Sequence, residues 1–268
     1  MPASTRCAQF RELHMAGCFV MPNPWDLGSA KVLAQLGFPA VATTSCGLAW
    51  ALGVRDHAVT LEQKLAHLRD MTAAVVVPVN ADFEKGFAVA PEEVAANVTA
   101  AAGTGIAGLS IEDSTGDPSN PLFDLPLAVE RIRAAREAID RTGAGILLTG
   151  RSEGFLVGWP DLAGTIRRLQ AYAEAGAECL YAPGLRTVAD IKAVVDAVAP
   201  KPVNALVGSD IATVDELARV GVRRISVGGA LARAAWTGFL QAATEIRERC
   251  TFAQLGRAVP FPEVNTKF

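Results

Sequence analysis

The chain has 268 residues, half of them apolar and a fifth charged, with a formal net charge of −3. That balance excludes a disordered chain and argues against a nucleic-acid binder, whose footprint is a basic surface. Cys7, Cys18, Cys46, Cys179 and Cys250 form no CxxC pair and are odd in number, which suits reduced thiols better than a disulfide framework. With no signal-peptide core and no bilayer-length apolar run, a soluble cytoplasmic protein without a membrane partner is expected.

In chain order, short apolar strands alternate with amphipathic helices. Strands are predicted at Cys18–Met21, Ala40–Thr44, Val75–Asn80, Ile106–Glu112, Gly145–Thr149, Cys179–Ala182, Pro202–Leu206 and Val222–Val227. Helices are predicted near Leu27–Leu36, Thr60–Met71, Pro91–Ala102, Leu127–Arg141, Asp161–Ala175, Thr187–Val198, Thr213–Val220 and Leu231–Arg249. Asp161, Thr187 and Thr213 suit helix starts, and Leu36-Gly37, Ala102-Gly103, Ala175-Gly176 and Val220-Gly221 suit helix stops. Eight strands, each followed by a helix and with no composition break, predict one (β/α)₈ barrel domain over residues 1–268. A doubly wound open sheet is the alternative, which the even count disfavours. Ser4–Ala16 reads as a helix closing the barrel bottom. The tail from Thr251 to Phe268 reads either as a segment packing on a neighbouring subunit or as a frayed end.

Barrel enzymes place their chemistry at the C-terminal ends of the strands. Those ends carry Asn23, Trp25 and Asp26; Thr43 to Gly47 followed by Arg55, Asp56 and His57; Asn80, Asp82 and Glu84; Glu112 and Asp113; Arg151 and Glu153; Tyr181; Asn204 and Gly208; and Ser226, Gly228 and Gly229. Strand alternation puts Asn80, Asp82 and Glu84 on one face if the extended backbone persists that far. Acids on strands three and four face a guanidinium from strand five. Such a ring repels itself unless it holds a cation, so bound Mg²⁺ or Mn²⁺ and a carboxylate substrate clamped by Arg151 are the simplest account.

Taken together, Trp25-Asp26, Thr44-Ser45-Cys46-Gly47, Gly53-Val54-Arg55-Asp56, Val79 to Gly86, Gly108 to Asp113, Gly150-Arg151-Ser152-Glu153 and Pro202-Val203-Asn204 resemble the isocitrate lyase/phosphoenolpyruvate mutase superfamily. The resemblance runs through nearly the whole chain, in order, and is closest to the mutase-like branch. It implies a modified (β/α)₈ barrel, Mg²⁺ dependence, and enolate chemistry on a 2-oxo or 2-hydroxy carboxylate, or a phosphonate, that makes or breaks a C–C or P–C bond. By position, it makes Asp82 the direct metal ligand, with Glu84 and Glu112 acting through water. Arg151 would bind the substrate carboxylate and oxyanion, Ser45 with the amides of Cys46 and Gly47 would grip the other carboxylate oxygens, and Asn204 would add a substrate contact. Asp56 would stand near the reacting bond on a mobile loop. A homo-oligomer, dimer or tetramer, is also expected.

The sequence departs from the family pattern in the loop after strand four. Lyases carry a Lys-Lys/Arg-Cys-Gly-His segment there, whereas residues 113–124 read DSTGDPSNPLFD, without Cys, Lys or His. Asn80 replaces an apolar residue or Thr, and Glu84 replaces Asp. Cysteine-dependent cleavage of isocitrate or methylisocitrate is therefore not expected. Two other readings are a metal-free, phosphate-binding barrel isomerase or aldolase using Gly208 and Gly228-Gly229, with Lys85 as its nearest Schiff-base lysine, and a non-catalytic metabolite-binding barrel. Cys46 reads as a buried small residue, His57 as part of a solvated loop, and His14 and His67 as surface or packing residues.

Overall fold

The computed structural model describes residues 3–268. Eight parallel strands form one sheet: β1 (Phe19–Met21), β2 (Val41–Ala42), β3 (Val79–Asp82), β4 (Gly108–Glu112), β5 (Leu147–Arg151), β6 (Cys179–Tyr181), β7 (Val203–Leu206) and β8 (Arg224–Ser226). Their order, β1-β8-β7-β6-β5-β4-β3-β2, brings β1 back beside β2. That last seam is closed by the Ala42 N–H donating to the Pro22 carbonyl at 3.0 Å. Asn23 adds a bridge: its Nδ2 donates to the Thr43 carbonyl, and its Oδ1 accepts from the amides of Val227 and Gly228. One carboxamide thus ties β1, β2 and the end of β8 together.

The barrel helices are α2 (Leu27–Gln35), α4 (Leu61–Ala74), α5 (Pro91–Ala102), α6 (Leu125–Thr142), α7 (Leu162–Glu174), α8 (Val188–Val198), α9 (Val214–Arg219) and α10 (Ala230–Arg249). Capping boxes start α2 at Asp26, α4 at Thr60 and α9 at Thr213, and the side chains of Asp161 and Thr187 cap α7 and α8. Three of the predicted stop glycines are left-handed; the fourth, Gly103, is not, and Gly105 takes that conformation instead.

Strand alternation divides the core. Leu109, Ile111 and Leu148 are buried with Val94, Val98, Ala135 and Ile139 of α5 and α6, while Ser110 and Glu112 share the other face with Thr149 and Arg151 across the β4–β5 ladder. The barrel interior is therefore polar. Its bottom is plugged by α1 (Ala3–Leu13), as predicted from Ser4–Ala16, through the fully buried Phe10. Arg11 pins this helix to the Gly145 carbonyl and to Glu178.

The fit at the plug is tight. A Cβ on Gly108 would stand 2.6 Å from both Asn80 Oδ1 and Phe10 Cε1, and 3.2 Å from the Leu147 carbonyl oxygen. Gly108→Ala is expected to destabilise the protein by about 1–3 kcal/mol through overpacking. A thermal melt should fall by several degrees; an unchanged melting temperature would mean that α1 does not seal the barrel as described.

Three expectations need correction. The Val75-Val76-Val77 run is not strand: Val76 is 65% exposed, and β3 begins only at Val79. The residues after β2 form a short helix, α3 (Ser45–Ala51), which is absent from the predicted helices. The C-terminal tail is not a frayed end: it carries α11 (Phe261–Asn265), and Gln35 Nε2 donates to the Lys267 carbonyl at 2.7 Å.

Candidate active site

A cavity of about 190 Å³ opens at the C-terminal ends of the strands, small enough to exclude a cofactor-sized ligand and suited to a small acid. Ser45, Cys46, Asp56, Asp82, Arg151 and Asn204, all singled out in the sequence, border it. Asn80, Thr44, Ser110, Tyr181, Arg224 and Ser226 also line it. Gly47, Glu84 and Glu112 do not border it directly.

Arg151 is the electrostatic centre. Its guanidinium contacts Asp82 and Glu112 at 3.2 Å each, pairs through Nε with Glu153, and lies 5.3 Å from the centre of the Tyr181 ring. Burial alone would lower its pKa, but the three carboxylates outweigh burial and hold the charge firmly on the guanidinium. Burial pushes Glu112 up to about 8, and Glu153 and Asp82 oppose its ionisation further, against the pull of Arg151. Burial likewise raises Glu153. At Asp82 the balance reverses: burial is outweighed by Arg151, Lys64 and the Ser45 amide, which donates to Oδ2 at 2.9 Å, so this carboxyl lies below its ordinary value. Asp82 is thus the acid held ionised at the cavity wall.

Glu84 departs from the predicted alternation. The strand ends at Asp82, and Glu84 has φ +50, the left-handed region, inside a turn closed by the Gly86 amide on the Phe83 carbonyl. Its Oε2 meets His57 Nδ1 at 3.3 Å, and its buried Oε1 has no hydrogen-bond partner. The bond to Glu84 raises His57 to about 9 and so favours the imidazolium there, while the side chain stays exposed on its loop. His57 also lies 3.9 Å from Asp56.

Four acids, Asp82, Glu84, Glu112 and Glu153, are therefore gathered around one guanidinium and one imidazolium. A hard divalent cation fits this donor set: the acids are all oxygen donors, one buried carboxylate oxygen lacks a partner, and Glu112, pushed up by burial to about 8, would be drawn toward its charged form by a further cation. No three of His, Cys, Asp and Glu among the described residues stand as a ready-made protein cage for a metal.

The first-turn amides of α3 point from Ser45, Cys46 and Gly47, as helix N-termini leave their N–H groups without intrahelical carbonyls. Ser45 already spends its amide on Asp82. Gly47 is needed for space, since a Cβ there would stand 2.7 Å from Trp25 Cβ. Burial raises the Cys46 thiol, which lies 3.3 Å from Thr44 Oγ1. It packs here as a neutral small group.

Several positioning roles escaped the sequence reading. Asp113 accepts from Tyr172 Oη at 2.6 Å, from the Glu153 amide at 2.8 Å, and from Ser152 and Arg168. It thereby fixes the segment that carries Glu153. Arg131, fully buried on α6, donates to the carbonyls of Lys85, Ala88 and Val89 and so braces the turn after Glu84. The available signal was a charge on the apolar stripe Ala128, Ile132, Ala135. Of the two readings of His14, packing holds: it is buried and meets Arg224.

The segment after β4 is an ordered excursion. Ser114 bridges Leu122, the Phe123 amide returns to the Asp113 carbonyl, and Lys85 Nζ donates to the Thr115 carbonyl at 2.6 Å. Asn120 lies in a separate groove with Trp159 and Arg167, away from the acid-lined cavity.

The parallel barrel thus has a polar, acid-lined mouth centred on Arg151, the place where barrel enzymes carry their chemistry. The family model for phosphoenolpyruvate phosphomutase matches residues 10–247, so the chain belongs to that family, within the phosphoenolpyruvate mutase/isocitrate lyase superfamily of lyases and mutases. A Burkholderia cenocepacia J2315 structure, described as a lyase/mutase, is 46% identical with a TM-score of 0.96, covering 98% of this chain and 96% of its own. The oxaloacetate decarboxylase of Pseudomonas aeruginosa UCBPP-PA14 is 29% identical over 269 residues, 96% of this chain and 92% of that enzyme. The 2-methylisocitrate lyase of Escherichia coli K12 is 32% identical over 177 residues, covering 63% of this chain and 58% of its own length.

Proposed function

We propose that this protein is a Mg²⁺-dependent enzyme that binds a small 2-oxo or 2-hydroxy carboxylate, or a phosphonate, and makes or breaks a C–C or P–C bond through an enolate. The observation that carries this reading is the surplus of buried acids around Arg151. Asp82 would hold the cation directly, with Glu84 and Glu112 acting through water; Mn²⁺ would serve the same donors. Bound there, the cation would supply electrophilic stabilisation of the enolate oxygen. Arg151, relieved of part of its acid contacts, would offer its guanidinium to the same developing charge and to the substrate carboxylate. Ser45 and the first-turn amides of α3 would fix the carboxylate, Asn204 would add a wall contact, and Asp56 would face the reacting bond from the loop beyond α3. Metal titration of chelator-treated protein, followed by a panel of 2-oxo acids, tests the reading.

The metal-free phosphate reading has less support. The amides of Val227 and Gly228 are taken by Asn23, and no lysine borders the cavity among the described residues; Lys85 is spent on Thr115.

Isocitrate-type cleavage needs a proton donor for the departing carbanion. In the excursion after β4 the acids are Asp117 and Asp124, and hydrogen bonds from Ser119 hold the exposed Asp117 below the ordinary carboxyl range. It is a poor acid at neutral pH. Isocitrate and 2-methylisocitrate should therefore not be cleaved, while oxaloacetate, phosphonopyruvate or a related 2-oxo acid should be turned over. Glyoxylate or pyruvate release on the order of 1 s⁻¹ from either isocitrate would contradict this assignment.

The assembly we propose is a homo-oligomer, dimer or tetramer, without a nucleic-acid or membrane partner. Of the twenty residues of α10 only Ala232 is buried, and Trp236, Phe239, Leu240 and Ile246 are exposed. A second copy would cover such a face. Sedimentation equilibrium should give at least twice the chain mass; a monomer at micromolar concentration would refute it. No helix among the described residues is long and apolar enough to cross a membrane, and five free thiols suit a cytoplasmic location.

A further inference from the structure

The cavity holds a second guanidinium. Arg224 lies on β8 two residues before Ser226, so strand alternation turns both into the barrel, and both border the cavity. Arg224 is 1% exposed, yet among the described residues it forms no ion pair. Its partners are neutral: Nε donates to Asn204 Oδ1 at 2.8 Å, Nη2 to Thr149 Oγ1 at 3.0 Å, and Nη1 faces His14 Nε2 at 3.2 Å. His14 Nδ1 lies 2.7 Å from the Phe10 carbonyl oxygen and donates to it, which leaves Nε2 as the acceptor. Burial and the Arg224 charge pull His14 down to about 3, so this imidazole stays neutral.

Two further features separate Arg224 from Arg151 and Arg131. Arg151 contacts three acidic side chains, of which Asp82 is held ionised, and Arg131 is met by three backbone carbonyls away from the cavity. The charge of Arg224 has no such match, and burying a guanidinium without a counter-ion is costly. A guanidinium has five N–H donors, of which these three contacts use three. Its orientation is also fixed from behind: Asn204 accepts from Nε while its own Nδ2 donates to Ser226 Oγ at 2.9 Å. The result is a preset cation with spare donors beside the cavity that holds Asp82 and Arg151.

We propose that Arg224 is a specificity-determining residue that binds a second anionic group of the substrate, so that the site selects acids charged at both ends over acids charged at one. This inference rests on the 2-oxo/2-hydroxy acid reading and adds to it the residue that holds the far-end charge of acids such as oxaloacetate. Asn204 then acts in part as the positioning residue of Arg224.

The test compares malate with 2-hydroxybutyrate, which share length and a 2-hydroxy acid head and differ in the terminal carboxylate. Calorimetric titration in Mg²⁺ should show wild type binding malate at least about ten-fold more tightly, the worth of one charge-assisted hydrogen bond. Arg224→Gln should lose that factor for malate and stay within two-fold for 2-hydroxybutyrate, with Arg224→Lys in between; circular dichroism and melting establish that each variant is folded. Equal binding of the two acids by wild type would overturn the proposal without any variant. So would a loss in Arg224→Gln that is the same for both acids, which is the mark of a structural role. If wild type bound neither acid, the broader substrate reading would fall, and this inference with it.

Discussion

Arg151→Lys is expected to lower kcat/KM at least about ten-fold on the best 2-oxo acid, with the loss shared by kcat. A guanidinium presents a planar fork that contacts Asp82, Glu112 and Glu153 at once, whereas an ammonium is a point charge that cannot span three acids and a substrate. One lost charged hydrogen bond in the transition state accounts for a factor of that size. Because the three acids would also lose their shared partner, the variant should melt at a lower temperature in the absence of Mg²⁺, and added Mg²⁺ should recover part of the difference. Activity within two-fold of wild type would make Arg151 a structural ion-pair residue.

Asp82→Ala is expected to remove Mg²⁺-dependent activity altogether. Asp82 is the acid kept ionised, by Arg151 and the Ser45 amide, while Glu112 keeps its proton up to about pH 8. The sign of the pH effect follows. Between the ordinary carboxyl value and about 8, the folded metal-free protein retains a proton at Glu112 that the unfolded chain has released, so stability falls as pH rises through that window. A cation favours the carboxylate, so Mg²⁺ should bind more tightly as pH rises across the same window and release protons as it binds. Mg²⁺ affinity that is flat from pH 6 to 8.5 would argue against Glu112 as one of its holders.

Much of the fold was legible because helix starts and strand alternation are local. Thr60, Asp161, Thr187 and Thr213 cap where they stand in the sequence, and the eight strands follow from eight apolar runs between helices. The start of β3 was not legible, since Val75 to Val77 are as apolar as the strand itself and only tertiary packing leaves Val76 in solvent. Helix α3 was hidden because Thr44-Ser45-Cys46-Gly47 has turn-like composition, and its residues are held by Trp25 and Asp82 from elsewhere in the chain.

The site divides along the same line. Asp82 and Arg151 sit at strand ends, where alternation and chain order place them, and both reach the cavity. Glu84 lies two residues past the end of β3. Its positive φ turns it toward His57, a contact spanning 27 residues that no local pattern carries. Arg224 was within reach of the alternation rule, since Arg224 and Ser226 alternate on β8, but attention to the strand ends passed over the layer beneath them.

On the proposed function, the acids around Arg151 serve a divalent cation and an enolate. Oxalate mimics that enolate, so the direct measurement is the melting temperature of chelator-treated protein with Mg²⁺ alone, oxalate alone, and both together, in wild type and Asp82→Ala. Wild type should show a rise with both ligands that exceeds the sum of the separate rises, and Asp82→Ala none. Equal stabilisation by oxalate with and without Mg²⁺, together with full turnover in chelator, would contradict the proposed function.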